Sequence, residues 1–132
     1  MNLTGNQVLP GIGMVRLNFD AYEVNGLQEF DIVAHTFTPN QSGLYLFTVN
    51  IEWLNATLNR IYTLMIHRNG LFQAQVRFPC PIGVQNYNQQ LTKIIYVDNN
   101  DVIEARANTS NPAGNIISGD PVSTWFQALR IG

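Results

Sequence analysis

The sequence predicts an all-β sandwich or barrel of eight or more short strands, with helix content close to nil. Three observations carry this reading. Apolar and polar residues alternate in run after run, which is the period of a half-buried strand. Turn residues recur about every 8 to 12 positions, the spacing of an antiparallel sandwich or barrel. No long stretch keeps the 3.6-residue period of an amphipathic helix. The 132 residues fit one domain, large enough to bury roughly two thirds of its unfolded surface.

Met1 to Gly13 reads as a flexible N-terminal arm and residues 14–132 as the folded domain. Val15, Leu17 and Phe19 alternate with Arg16, Asn18 and Asp20, and Asn25-Gly26 then supplies a turn. Tyr45, Phe47, Val49, Ile51 and Trp53 give an unbroken apolar face over nine residues. Tyr62, Leu64 and Ile66 lead to Arg68-Asn69-Gly70, where Asn-Gly is the strongest short hairpin signal in the chain. Leu71 to Phe78 is the return strand, stopped by Pro79-Cys80-Pro81. Leu91 to Val97 is a strand, Asp98 to Asp101 a turn, and Val102 to Ala107 its partner. Asn108 to Asp120, rich in Asn, Ser, Gly and Pro, reads as a loop, and Ser123 to Ile131 as the closing strand.

The central strand carries an anomaly. Its face opposite the core opens with Leu44 and Leu46 before turning polar at Thr48, Asn50 and Glu52. On the last strand Trp125, Leu129 and Ile131 share one face, while Phe126 and Ala128 share the other. Strands apolar on both sides imply a sheet that is covered on its outside. The cover is either another subunit or the N-terminal arm folded over that face.

The composition narrows the partners. Charged residues make up 12% of the chain, with seven Lys and Arg against nine Asp and Glu. Sixteen Asn and nine Gln take their place on the surface, which suits a chain that lives in an assembly. The net charge is −2 and the basic residues are scattered singly, so nucleic acid is not an expected partner. No apolar stretch approaches the length of about 18 residues that spans a membrane. Met1-Asn2-Leu3-Thr4-Gly5 has neither the basic nor the apolar region of a signal peptide. The single cysteine, Cys80, cannot form an internal disulfide and reads as a small apolar residue or an incidental thiol.

Catalytic chemistry needs convergent titratable groups, and few are available. His35 and His67 each read as a strand residue with a structural role. The sequence contains no G-x-S-x-G, H-x-H, H-E-x-x-H or Gly-rich phosphate loop, so no enzyme and no transition-metal site is expected. Asp98-Asn99-Asn100-Asp101 is the one cluster with oxygen ligands for calcium, through Asp98 and Asp101. It lacks the ligand count of a calcium loop, and turn formation alone explains such residues. Sequons begin at Asn2, Asn40, Asn55 and Asn108, and they matter only in a protein secreted by a eukaryote.

Phe37-Thr38-Pro39-Asn40-Gln41-Ser42-Gly43-Leu44-Tyr45-Leu46-Phe47 resembles the globular heads of the C1q/tumour necrosis factor superfamily. Their signature is a Phe, a nearby Pro, then Gly-x-Tyr-x-Phe opening the long central strand. Val15 to Asp20 is similar to the family's first strand, and Leu64-x-Ile66-x-Arg68-Asn69-Gly70 to its strand ending in Asn-Gly. Val97-x-x-Asn100-Asp101-x-Ile103 resembles the Leu-x-x-Gly-Asp-x-Val turn. Ser123 to Leu129 resembles the closing Ser-x-Phe-x-Gly-x-Leu strand. Two positions depart from the pattern, since Asn100 and Gln127 replace glycines. No collagen-like Gly-X-Y stretch occurs in the chain.

The resemblance implies a ten-stranded jelly-roll β-sandwich that assembles as a homotrimer, with one sheet facing the three-fold axis. Phe37, Gly43, Tyr45, Phe47 and Phe126 are then core signature residues. Leu44, Leu46, Thr48, Ile94, Tyr96, Trp125, Leu129 and Ile131 fall at or near the axis. The implied function is a non-enzymatic recognition head for protein or carbohydrate ligands, needing no cofactor. The alternative is a structural trimeric cap or decoration on a fibre, spore coat or phage particle. Either places the chain outside the cell, on a cell or spore surface, or on a virion, and the amide-rich composition suits a microbial or viral source.

Overall fold

The computed structural model describes residues 1–9, 13–22, 27–81 and 85–132. The turn expected at Asn25-Gly26 lies outside them. The first half of the chain forms β1 (Gln7–Leu9), β2 (Val15–Arg16), β3 (Phe30–Asp31), β4 (Thr36–Phe37), β5 (Gly43–Ala56) and β6 (Ile61–Arg68). The second half forms β7 (Leu71–Pro79), β8 (Gln85–Val97), β9 (Ile103–Thr109), β10 (Asn115–Ile117) and β11 (Trp125–Arg130). No helix occurs among the described residues. The strands make two antiparallel sheets, and the sandwich is a jelly roll of the kind the sequence predicts.

β5 organises the five-stranded sheet. One of its edges pairs with β11, from Asn50 opposite Trp125 to Tyr45 opposite Arg130, and then with β10 at Leu54 and Trp53. The other edge pairs with β8 from Gly43 opposite Val97 to Trp53 opposite Tyr87. The second sheet has six strands in the order β3-β4-β9-β6-β7, with β2 also on β9. Between the sheets lie the residues that alternation picks out: Tyr45, Phe47, Val49, Ile51 and Trp53 from β5, Leu64 and Ile66 from β6, and Phe126 from β11, all buried.

The signature aromatics hold the two layers together. The Phe37 ring meets Tyr45 at 5.5 Å and Phe47 at 5.3 Å, both edge to face, and Phe47 stacks on Phe126 at 6.2 Å. A buried phenol needs a hydrogen-bond partner, and the Tyr45 hydroxyl donates to Gln41 O at 2.9 Å. Burial beside Glu29 pushes that hydroxyl's pKa above its ordinary value. Gly43 is fixed by close approach, because a Cβ there would lie 2.3 Å from Gly132 O. The β6–β7 hairpin turns on Asn69 at φ 53° and Gly70 at φ 77°, the two left-handed positions of a type I′ turn. Cys80, at its far end, is buried as a small apolar side chain.

Three expectations are corrected. Residues 1–9 are not a loose arm. Met1, Leu3 and Leu9 are buried, β1 pairs with β10, and Thr4 clamps both carboxylate oxygens of Asp20 at 2.8 Å. Three apolar side chains bound to a free sheet edge outweigh the polar spacing that suggested looseness. The loop expected over Asn108 to Asp120 contains the end of β9 and all of β10, where Ile117 is buried and Asn115 Nδ2 donates to Asn111 O at 2.8 Å. His35 lies in the turn before β4 at φ 61°, with Nδ1 2.9 Å from Phe19 O, rather than on a strand.

Candidate functional site

The outward face of the five-stranded sheet follows from register. Leu44 is opposite Tyr96 on β8, and its carbonyl accepts from Ile131 N at 2.8 Å. Leu46 is opposite Ile94 on one side and Leu129 on the other. Thr48 is opposite Thr92 and Gln127, and Asn50 is opposite Gln90 and Trp125. Side chains in such rows stand about 5 Å apart, close enough for each row to form one surface. Two apolar rows therefore lie side by side, followed by an uncharged polar row.

These apolar side chains are uncovered. Leu44 is 42% exposed, Ile94 52%, Tyr96 55%, Leu129 61% and Ile131 48%, with Leu46 half-buried among them. The N-terminal segment does not lie over them, since it runs from the edge of β11 at Phe126 and Trp125 to β10. Thr48 is buried within its own chain, with Oγ1 3.5 Å from Thr92 Oγ1. Trp125 stands apart from the apolar rows, beyond Gln127, half-buried and bridged to Asn2. The sequence reading thus found six residues that come together in one patch, and two that do not extend it.

Three exposed apolar residues on β7 were missed. β7 is the last strand of its sheet, and Leu71, Phe72 and Phe78 on it are exposed. Because Leu71 to Phe78 reads as a hairpin return strand, its edge position was the missing signal. In an edge strand alternation no longer separates core from solvent.

The polar candidates resolve into structure. Asp101 Oδ1 accepts from Asn69 Nδ2 and Oδ2 from Asp98 N, each at 2.8 Å, so this carboxylate ties the turn to the neighbouring hairpin. Those donors, the backbone N–H first, hold the Asp101 pKa below its ordinary value. Asp98 contributes its backbone to the same turn. His67 is buried on the six-stranded sheet beside Phe72, at 5.7 Å between rings, and opposite Glu104. Desolvation, and then the charge of Arg106, push its pKa below the ordinary 6.5. Among the described residues no three His, Cys, Asp or Glu side chains converge on a point where a metal could sit. Nor is any helix among them long and apolar enough to cross a membrane.

No family model and no curated protein matches the sequence. Solved structures do match. The tumour necrosis factor Eiger from S. frugiperda superposes with a TM-score of 0.67 over 99% of this chain and 90% of that one, at 12% identity. Murine APRIL, in a crystal structure at pH 5.0, superposes with a TM-score of 0.61 over 74% and 73%, also at 12% identity. The fold is that of a tumour necrosis factor-like jelly roll.

Proposed function

We propose that this chain is a non-enzymatic recognition head that works as a homotrimer, with the patch around Leu44, Leu46, Ile94, Tyr96, Leu129 and Ile131 packed at the three-fold axis. The observation that carries the reading is the patch itself: two complete apolar rows on the outside of a sheet, uncovered by their own chain. Monomers rarely leave such a surface open. The likeness to tumour necrosis factor-like folds supports the same reading.

Three copies turn a shallow site into useful avidity, so no deep cleft is required. An amide-rich surface offers paired donors and acceptors to a protein or carbohydrate ligand on a cell, spore or virion surface. No cofactor enters this function. Light scattering on the whole chain tests the assembly: three times the chain mass at micromolar concentration is expected, and a stable monomer overturns it. Saturable binding on a glycan array or to cells then supports recognition, whereas silence there with retention in purified particles favours a structural module.

A further inference from the structure

The outward face of the six-stranded sheet holds a row of polar groups without partners. Register places Asn108 of β9, Thr63 of β6 and Arg77 of β7 side by side. They line a pocket of about 130 Å³ together with Ile61, Thr109 and Ser110. Asn108 Oδ1 is shielded from water and accepts no hydrogen bond, a state that a folded chain rarely leaves standing. Arg77 is exposed, and no ion pair reaches it among the described residues. The row on one side carries Arg16, Arg106, Met65 and Gln75, and the row on the other Ile61, Pro79 and Ser110. Among the described residues none of these three rows holds a carboxylate. Glu104, one row further on, is already shared by Arg106 and Arg16, so the charge of Arg77 stays open.

We propose that this pocket binds one acidic sugar unit of a carboxylated polysaccharide, with the carboxylate on Arg77 and a ring hydroxyl on Asn108. The two unpartnered groups select that occupant. A guanidinium pairs with a carboxylate through two parallel N–H donors. A hydroxyl both donates and accepts, so it satisfies the Asn108 amide in either orientation. Ser110 adds a contact, because its Oγ accepts from Ile61 N at 2.8 Å and keeps a proton to donate. A neutral sugar leaves Arg77 unpaired, and an Asp or Glu side chain brings no hydroxyl to Asn108. Arg77 is the exposed member of the lining, so a change in its rotamer widens the pocket without moving a strand. Arg106 and Arg16, in a row roughly 7 Å along the strands, extend the positive side toward the next units of the polysaccharide. The site deepens the recognition reading above and rests on it. It is nevertheless complete within one chain, on the sheet opposite the apolar patch.

The test uses the whole chain, made in bacteria so that Asn108 carries no glycan, and fluorescein-labelled trigalacturonate read by anisotropy. Saturable binding is expected at one site per chain, whatever mass light scattering gives, so this proposal and the trimer fail separately. Arg77→Gln should weaken binding about tenfold or more, the loss of a charge-assisted contact. Lys93→Gln removes the same charge from an exposed position on β8 of the other sheet and should leave binding unchanged. Maltotriose, with hydroxyls but no charge, and triglutamate, with charge but no hydroxyls, should each compete about tenfold more weakly. In amide spectra of the unaltered protein, trigalacturonate should shift Thr63, Arg77 and Ser110 and leave Leu44 and Leu46 in place. Absence of saturable binding, equal loss in both variants, or shifts confined to other residues overturns the proposal. So does triglutamate competing as well as the sugar, which makes the partner an acidic peptide.

Discussion

The outward positions of β2, β6 and β9 carry Arg16, His67, Glu104 and Arg106, whereas those of β5, β8 and β11 carry Leu44, Leu46, Ile94, Tyr96 and Leu129. On the charged face, Glu104 is nearly buried and accepts from Arg106 Nε at 2.9 Å, with Arg16 at 3.7 Å. Those charges find their partners inside one chain. The apolar face has no such internal solution, because apolar side chains on a flat sheet are satisfied only by another layer. On these strands the sandwich therefore has one side whose charges pair within the chain and one whose apolar side chains stay exposed. Substitutions on the two sides should fail in different ways: one in assembly, the other in folding stability.

The largest expected effect is at Leu46→Asp. Burying a leucine is worth roughly 1.5–3 kcal/mol, and the loss recurs in every copy, so this variant should be insoluble or a destabilised monomer by light scattering. The control is Val33→Asp, since Val33 is 85% exposed in the turn between β3 and β4 of the other sheet; its mass should equal that of the wild type. On the charged face, Glu104→Gln leaves Arg106 and Arg16 without a counter-charge. Both arginines are partly solvated, so the cost should be about 2 kcal/mol, less than for a fully buried pair, read from urea unfolding with the assembly mass unchanged.

Acid should distinguish the faces more gently. His67 is held neutral in the fold while the unfolded chain binds a proton near the ordinary pKa of 6.5. Stability is thus complete above that pH and declines as pH falls through the lower folded value. Unfolding midpoints measured downward from pH 7 should show this slope, and His67→Gln should flatten it. The smallest effect belongs to the hairpin. Asn69→Asp replaces the amide that donates to Asp101 with a second carboxylate, at a cost of about 1 kcal/mol in thermal unfolding and none in assembly.

Much of this was legible beforehand for a physical reason. β5 is paired on both edges and packed on one face against the core, so every residue on it is forced to declare a side, and its alternation is clean. The same constraint revealed Leu44 and Leu46. At the sheet margins the constraint lapses. β1 and β10 are three residues long, too short for a period to appear, so packing in residues 1–9 and 115–117 stayed hidden. Thr48 and Trp125 shared the outward face by parity, but parity carries no information about how tightly a neighbour covers them.

The span of β5 also bears on how the chain is made. Its partners begin at residue 85 and end at 130, so none of them exists while β5 itself is leaving the ribosome. The β6–β7 hairpin, closed by two residues, can form at once. Leu44 and Leu46 then wait with both neighbouring edges unpaired until β8 has been made, and with one edge still open until β11 follows. A chain terminated before Trp125 keeps that strand open on one side permanently, and unpaired apolar edges are what drive nascent chains into aggregates. The synthesis of β11 is therefore the step at which this strand becomes safe.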